Sequence, residues 1–154
     1  MDSRLGITGG LLFLVAYAQT TPLFLVFGVV VNVVLALAVA VAFSYGKPSE
    51  YAFLAVSGAL GLTSGIGVFA AFLFFTSIFF AAWAVRRFLP WQPLISGIAL
   101  VAFFSFATYI FPDPRLFPSL ASQFAREIAC NIALFMISHA VMSPYYARRR
   151  RYQF

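Results

Sequence analysis

The run "LFLVFGVVVNVVLALAVAVAFSY", Leu23–Tyr45, decides how this chain is read. A helix that crosses a bilayer needs about 17–25 mostly apolar residues. This run has that length, and Asn32 is its only strongly polar side chain. It predicts a long second helix, with Ala36, Ala38, Ala40 and Ala42 giving it small surfaces for close packing. Within it, Asn32 needs a hydrogen-bonding partner and is expected to make a structural bond to another helix.

Working outward, Ile66–Val85 and Ser122–Ser143 meet the same criterion, and Leu94–Phe111 meets it at the short end. Leu5–Gln19 and Tyr51–Thr63 are shorter; each fits a span, a re-entrant piece or an interfacial helix. Arg4, an apolar stretch and Ala16–Ala18 ("AYA") also resemble a signal peptide, but we read the segment as a retained first helix. The breaks are "QTTP" (Gln19–Pro22), "YGKPSE" (Tyr45–Glu50), "TSG" (Thr63–Gly65), "RRFLPWQP" (Arg86–Pro93) and "FPDPRLFPS" (Phe111–Ser119), where Pro and Gly stop helices. None is long enough for a soluble domain. The expectation is one all-helical membrane domain over residues 1–154, a six-helix transmembrane bundle.

Composition agrees. Hydrophobic residues make up 63% of the chain and charged residues 9%, against about a quarter charged in soluble domains. The formal net charge of +6 does not point to nucleic acid, because the basic residues flank apolar runs, where they set orientation. Six spans put Arg4, Lys47, Arg86, Arg87, Arg148, Arg149, Arg150 and Arg151 on the cytoplasmic side, with both termini there. Arg115 alone falls in an outer loop, and Arg126 lies near the outer end of the last span. Arg86, Arg87 and Arg148–Arg151 are expected to anchor helix ends on anionic lipid. The single cysteine, Cys130, excludes an internal disulfide and a CxxC metal site.

Two G-x-x-x-G spacings, Gly6/Gly10 and Gly61/Gly65, suit close helix packing. "SGALGLTSGIG" (Ser57–Gly67) is read as a glycine-permitted reversal between two short helices. It is no nucleotide loop, since no Lys follows and no strand precedes it.

In "FAREIACNIALFMISHAV" (Phe124–Val141), Glu127, Asn131, Leu134 and Ser138 share a helix face. Cys130 lies on its margin, while Arg126 and His139 are turned away. Neighbours on a helix do not face each other, so Arg126 and Glu127 are expected to find separate partners. Glu127 and His139 stand about 18 Å apart along the axis at 1.5 Å per residue. That leaves no ladder for a proton relay, and no nucleophile–base–orienter set is present for hydrolysis. The residues favour a structural or partner-facing role with no catalytic group and no cofactor.

Two stretches, "GVVVNVVLALAVAVAFSYGKPSEYAFLAVSGALGLTSGIGV" (Gly28–Val68) and "FAREIACNIALFMISHAVMSPYYARRRR" (Phe124–Arg151), give the chain a likeness to a known group. It resembles the MreD family of bacterial rod-shape-determining membrane proteins. The shared order is a long apolar second span, a polar turn, a glycine-rich segment, and a last helix opening on an acid with an Asn and a basic tail. Where the family often carries an Asp after the glycine-rich segment, this chain has Leu62-Thr63-Ser64. The resemblance implies a fold similar to the six-helix substrate-binding subunits of energy-coupling-factor vitamin transporters. It implies a non-catalytic scaffold of cell-wall elongation in the inner membrane. Its partners would be an MreC-like bitopic protein, a RodA-type glycosyltransferase and its transpeptidase. By position, Glu127 and Asn131 match the family's last-helix polar residues. Two other readings stay open: a vitamin-uptake substrate-binding subunit, and an accessory subunit of a larger membrane complex.

Overall fold

The computed structural model describes residues 3–21, 25–26, 29–45, 47–88, 92–110 and 117–150, and side chains over 3–21, 31–45, 47–63, 67–88, 92–108 and 121–142. Within them the chain is helical, with six helices: α1 (Ser3–Gln19), α2 (Val33–Ala42), α3 (Pro48–Ile66), α4 (Val68–Phe88), α5 (Pro93–Ile110) and α6 (Phe117–Arg150). A minimal antiparallel ladder, β1 (Leu25–Val26) with β2 (Val29–Val30), precedes α2 and pairs Leu25 with Val30 and Val26 with Val29.

That ladder corrects the expectation of one long helix over Leu23–Tyr45. The run is uniformly apolar, but its first half is rich in β-branched residues, which pack well on a pleated surface. Asn32 then acts as an N-cap, its Oδ1 accepting from Leu35 N at 2.9 Å. Asn is among the strongest N-cap residues, so helix starts here and not ten residues earlier. What remains is a 10-residue α2, about 15 Å long and too short to cross a bilayer.

α2 forms the centre of the molecule. Val34, Leu35, Ala36 and Ala38 through Ala42 are at most 1% exposed. One continuous core joins them to Leu12 and Ala16 of α1, Leu54 of α3, Phe75 and Ile78 of α4, Val101 of α5 and Phe135 of α6. Much of the surface is apolar, with Ile7, Leu14, Phe69, Phe80, Phe103, Ile137 and Val141 all more than 60% exposed. Small alanines along the central α2 and large apolar residues outside suit helices that pack in lipid. By length and composition, two helical segments could cross a membrane, Val68–Phe88 and Ala121–Met142. The structure thus supports six helices, of which α2 is not a full span.

The other corrections concern glycine. The expected break at Thr63–Gly65 does not exist, because α3 runs unbroken from Pro48 to Ile66. The chain reverses at Gly67, whose φ of 82° and ψ of 155° suit glycine almost alone. Gly61 instead marks a close crossing: a Cβ there would strike Phe13 O and stand 2.8 Å from Ala16 Cβ in α1. Gly65 falls in the last turn of α3, and its packing lies outside the described residues. A Cβ added at Gly6 or Gly10 would meet nothing within 4 Å, whereas one at Gly9 would stand 2.5 Å from Phe53 Cε1. The α1 contact face is therefore one residue out of register with the expected motif.

One end of the bundle gathers cations. The hydroxyls of Thr8 and Tyr45 are 2.7 Å apart, and Arg86 Nη1 donates to Tyr45 O at 2.5 Å. Ser44 Oγ and Met142 Sδ lie 4.0 Å apart. The start of α1, the end of α2, the start of α3, the end of α4 and the later part of α6 therefore share a level. Arg4, Lys47, Arg86 and Arg87 cluster about it.

Glycine substitutions separate packing from turning. Gly61→Val should lower the detergent unfolding midpoint by driving α1 off α3, at a cost of about 1–3 kcal/mol typical of overpacking. Gly67→Ala should destabilise by a similar amount, about 1–3 kcal/mol of backbone strain. Gly6→Ala should leave the midpoint unchanged or raise it, as alanine favours helix by up to about 1 kcal/mol.

Candidate functional site: a polar clasp at the broken helix

A helix begun inside a protein leaves its first backbone N–H groups without intrahelical acceptors. At the start of α2 each finds one. Val33 N donates to Val31 O at 3.0 Å, Val34 N to Gln19 Oε1 at 2.7 Å and Leu35 N to Asn32 Oδ1 at 2.9 Å. The N–H of Asn32 itself donates to Asn131 Oδ1 at 2.9 Å. Gln19 Nε2 also donates to Asn32 Oδ1 at 3.1 Å, and Asn131 Nδ2 to Ser105 Oγ at 2.9 Å. Four side chains, from the end of α1, the cap of α2, α5 and α6, thereby close one network. Asn131 is fully buried and Ser105 is 1% exposed.

The members also agree in height. From the basic end, Gln19 is eleven residues beyond Thr8, and Asn131 is eleven residues above Met142. Both separations are about 16 Å along a helix, close to the length of α2. Ser105 stands twelve residues into α5 from Pro93, about 18 Å. The clasp is a single layer roughly halfway up the bundle.

The opposite end of α2 is closed just as fully. The Tyr51 hydroxyl lies 2.7 Å from Tyr45 O and 3.0 Å from Ala42 O, and Arg86 Nη1 also reaches that hydroxyl at 3.3 Å. A cation suits the partial negative charge of a helix C-terminus. Glu50 accepts from Lys47 N at 3.1 Å and starts α3 behind Pro48, a position where proline lacks no needed donor.

The expected site residues divide accordingly. Asn32 and Asn131, 99 positions apart, bond directly. Glu127 is 8% exposed, one turn from Asn131 on the same face, and is engaged by a neighbour. Arg126 is exposed and its Nε makes only a long 3.4 Å bond to Ser122 O. The buried arc of α6 runs through Glu127, Asn131 and Phe135, with Leu134 and Ser138 half-buried on it. His139 lies near that arc, stacked on Phe135 with ring centroids 5.6 Å apart. Arg86, expected on lipid, is bound to the ends of α2 and α3. Arg87 instead lies over the Trp83 ring at 5.4 Å. Arg148, Arg149 and Arg150 fall on the last turns of α6, with their side chains outside the described residues, as is Arg151 altogether.

Sequence alone does not single out Gln19 or Ser105. Gln19 reads as the start of a loop, and Ser105 as a lone hydroxyl in an apolar helix. Ser105 is a lone hydroxyl between Phe104 and Phe106, and Gln19 closes an apolar stretch; each stands beside residues that must otherwise satisfy their own backbone. Chemically, the clasp holds amides and a hydroxyl that bond one another and the backbone at the start of α2. Among the described residues, no three of His, Cys, Asp and Glu come together. No family model, curated protein or solved structure matches the chain.

Removing the Asn131 side chain should be costly well beyond its own bonds. Asn131→Leu strands the Asn32 N–H and the Ser105 hydroxyl, and an unsatisfied buried group costs about 1–3 kcal/mol. Ser105→Ala strands only the buried Asn131 Nδ2, one group where Asn131→Leu strands two, and should cost about half as much, again within about 1–3 kcal/mol for a single unsatisfied group. Thermal unfolding in mild detergent checks the order; equal effects would contradict the clasp.

Proposed function

We propose that this chain is a non-catalytic, multi-pass scaffold of the bacterial inner membrane, acting in cell-wall elongation as MreD-like proteins do. In this reading both termini are cytoplasmic, on the side of the basic end. The bundle grips an MreC-like bitopic protein and helps organise a RodA-type glycosyltransferase and its transpeptidase. The observation that carries the scaffold reading is the clasp itself. Its polar groups lie near the middle of a hydrocarbon core about 30 Å thick, where polar side chains usually mark transport or catalysis. Here they bond one another and the start of α2, which makes them braces of a rigid body.

The partners rest on the family resemblance carried by Gly28–Val68 and Phe124–Arg151. The basic cluster at one end agrees with cytoplasmic placement of both termini under the positive-inside rule. The chain direction agrees too, since α1 leaves that end, α2 returns to it, and α3/α4 and α5/α6 each form an out-and-back pair.

One observation favours the transporter reading. Helices broken at mid-membrane often form substrate sites, with the free N-terminus facing an anionic group. The α2 N-terminus is broken in that way, but Val31 O and the side chains of Gln19, Asn32 and Asn131 already accept from its backbone donors at residues 32–35.

Affinity purification in mild detergent with mass spectrometry separates these readings. MreC-like and RodA-type proteins in the eluate are the expected result. Transporter ATPase subunits, or a vitamin bound at nanomolar affinity, would overturn the scaffold.

A further inference from the structure

The face between α3 and α4 holds a cavity of about 450 Å³, within the range of about 300–1,000 Å³ typical of small-molecule sites. Its walls are almost wholly apolar, with Ala52, Ala55, Val56, Phe72, Phe80 and Trp83 among them. Along α3 it runs from Pro48 to Val56 and along α4 from Trp83 to Phe72. These stretches are about 12 Å and about 16 Å long, the depth of one leaflet of a hydrocarbon core about 30 Å thick. A partner helix that crosses the membrane needs a groove through both leaflets. An acyl chain needs one.

The rim supplies the charge. Arg87 lies over the ring of Trp83, which is itself part of the wall, with its Cζ 5.4 Å from the centroid. Lys47, exposed, directly precedes Pro48 at the same end. Arg86 is already bound to Tyr45 O, and Glu50 to Lys47 N, which leaves the exposed Arg87 and the Lys47 ammonium as cations of this rim.

We propose that this groove binds one anionic phospholipid from the leaflet at the basic end, its acyl chain against α3 and α4 and its phosphate against Arg87 and Lys47. This rests on the membrane reading above. It differs from general anchoring in having a walled chain site, one lipid deep, beside the charges.

Trp83 reports on occupancy. With Trp91→Phe, Trp83 is the sole tryptophan of the chain. The full-length protein is reconstituted in phosphatidylcholine vesicles that contain brominated phosphatidylglycerol or, at equal mole fraction, brominated phosphatidylcholine. Stronger quenching of Trp83 by the phosphatidylglycerol is expected. Arg87→Gln should lower its apparent affinity about fivefold, the equivalent of roughly 1 kcal/mol for one basic residue near the surface. Ala52→Phe fills the groove from an exposed position of α3 and should abolish the excess quenching while helicity and the unfolding midpoint stay as in the parent. Equal quenching by the two lipids overturns the proposal, as does excess quenching that survives Ala52→Phe. Crosslinking of Ala52→Cys to a co-purifying membrane protein in place of lipid would also overturn it, assigning the groove to a partner helix. Alkaline carbonate extraction distinguishes the underlying reading: a chain released from vesicles sinks both, whereas a retained chain without lipid preference sinks only the lipid site.

Discussion

A backbone amide buried inside a bundle has no water to bond, and leaving one unsatisfied costs about 1–3 kcal/mol. This chain meets that constraint at residue 32, where the ladder ends and α2 begins. The bond from Asn32 N to Asn131 Oδ1, with Gln19 and Ser105 about it, permits a helix to start inside the bundle. The rest of the arrangement depends on it. Because α2 is short, all its sides face protein, and alanine at alternate positions lets α4, α5 and α6 close in. Because its two ends are sealed by side chains of other helices, α2 ties α1, α3, α4, α5 and α6 to a common centre.

The two ends use different chemistry for the same task. At the start of α2 the clasp employs neutral amides and a hydroxyl, which avoid the high cost of burying an ionised group. At the basic end Arg86 does the work, where its charge can be solvated. The placement of ionisable groups follows the same gradient: Arg126 lies exposed toward the far end, and Arg87 is exposed at the near one.

Much of the helical framework was legible in the sequence. The apolar runs and the Pro- and Gly-bearing breaks locate α1, α3, α4, α5 and α6 to within a few residues at most of their ends; α6 extends further at both. What was not legible is instructive. A hydropathy run cannot tell a buried strand from a buried helix, so the ladder at Leu25–Val30 was read as helix. Its cues were the β-branched Val29–Val31 and the capping residue Asn32, both visible but outweighed by the length of the run. Sequence does not show which face a glycine takes, so Gly61 reads as part of a reversal that the chain makes at Gly67. Within the site, Asn32 and Asn131 stood out as lone amides, but their pairing is a tertiary fact. Gln19 and Ser105 acquire meaning only from it.

The 99-residue separation of Asn32 and Asn131 also bears on biogenesis. Synthesis yields α1 and α2 long before α6, so the donor at residue 32 lacks its Asn131 acceptor while most of the chain is being made. During that interval the start of α2 must be served by water or by another group. The bundle therefore cannot lock from its N-terminal half upward; it closes when its last helix arrives, and truncation before residue 131 leaves the start of the central helix open.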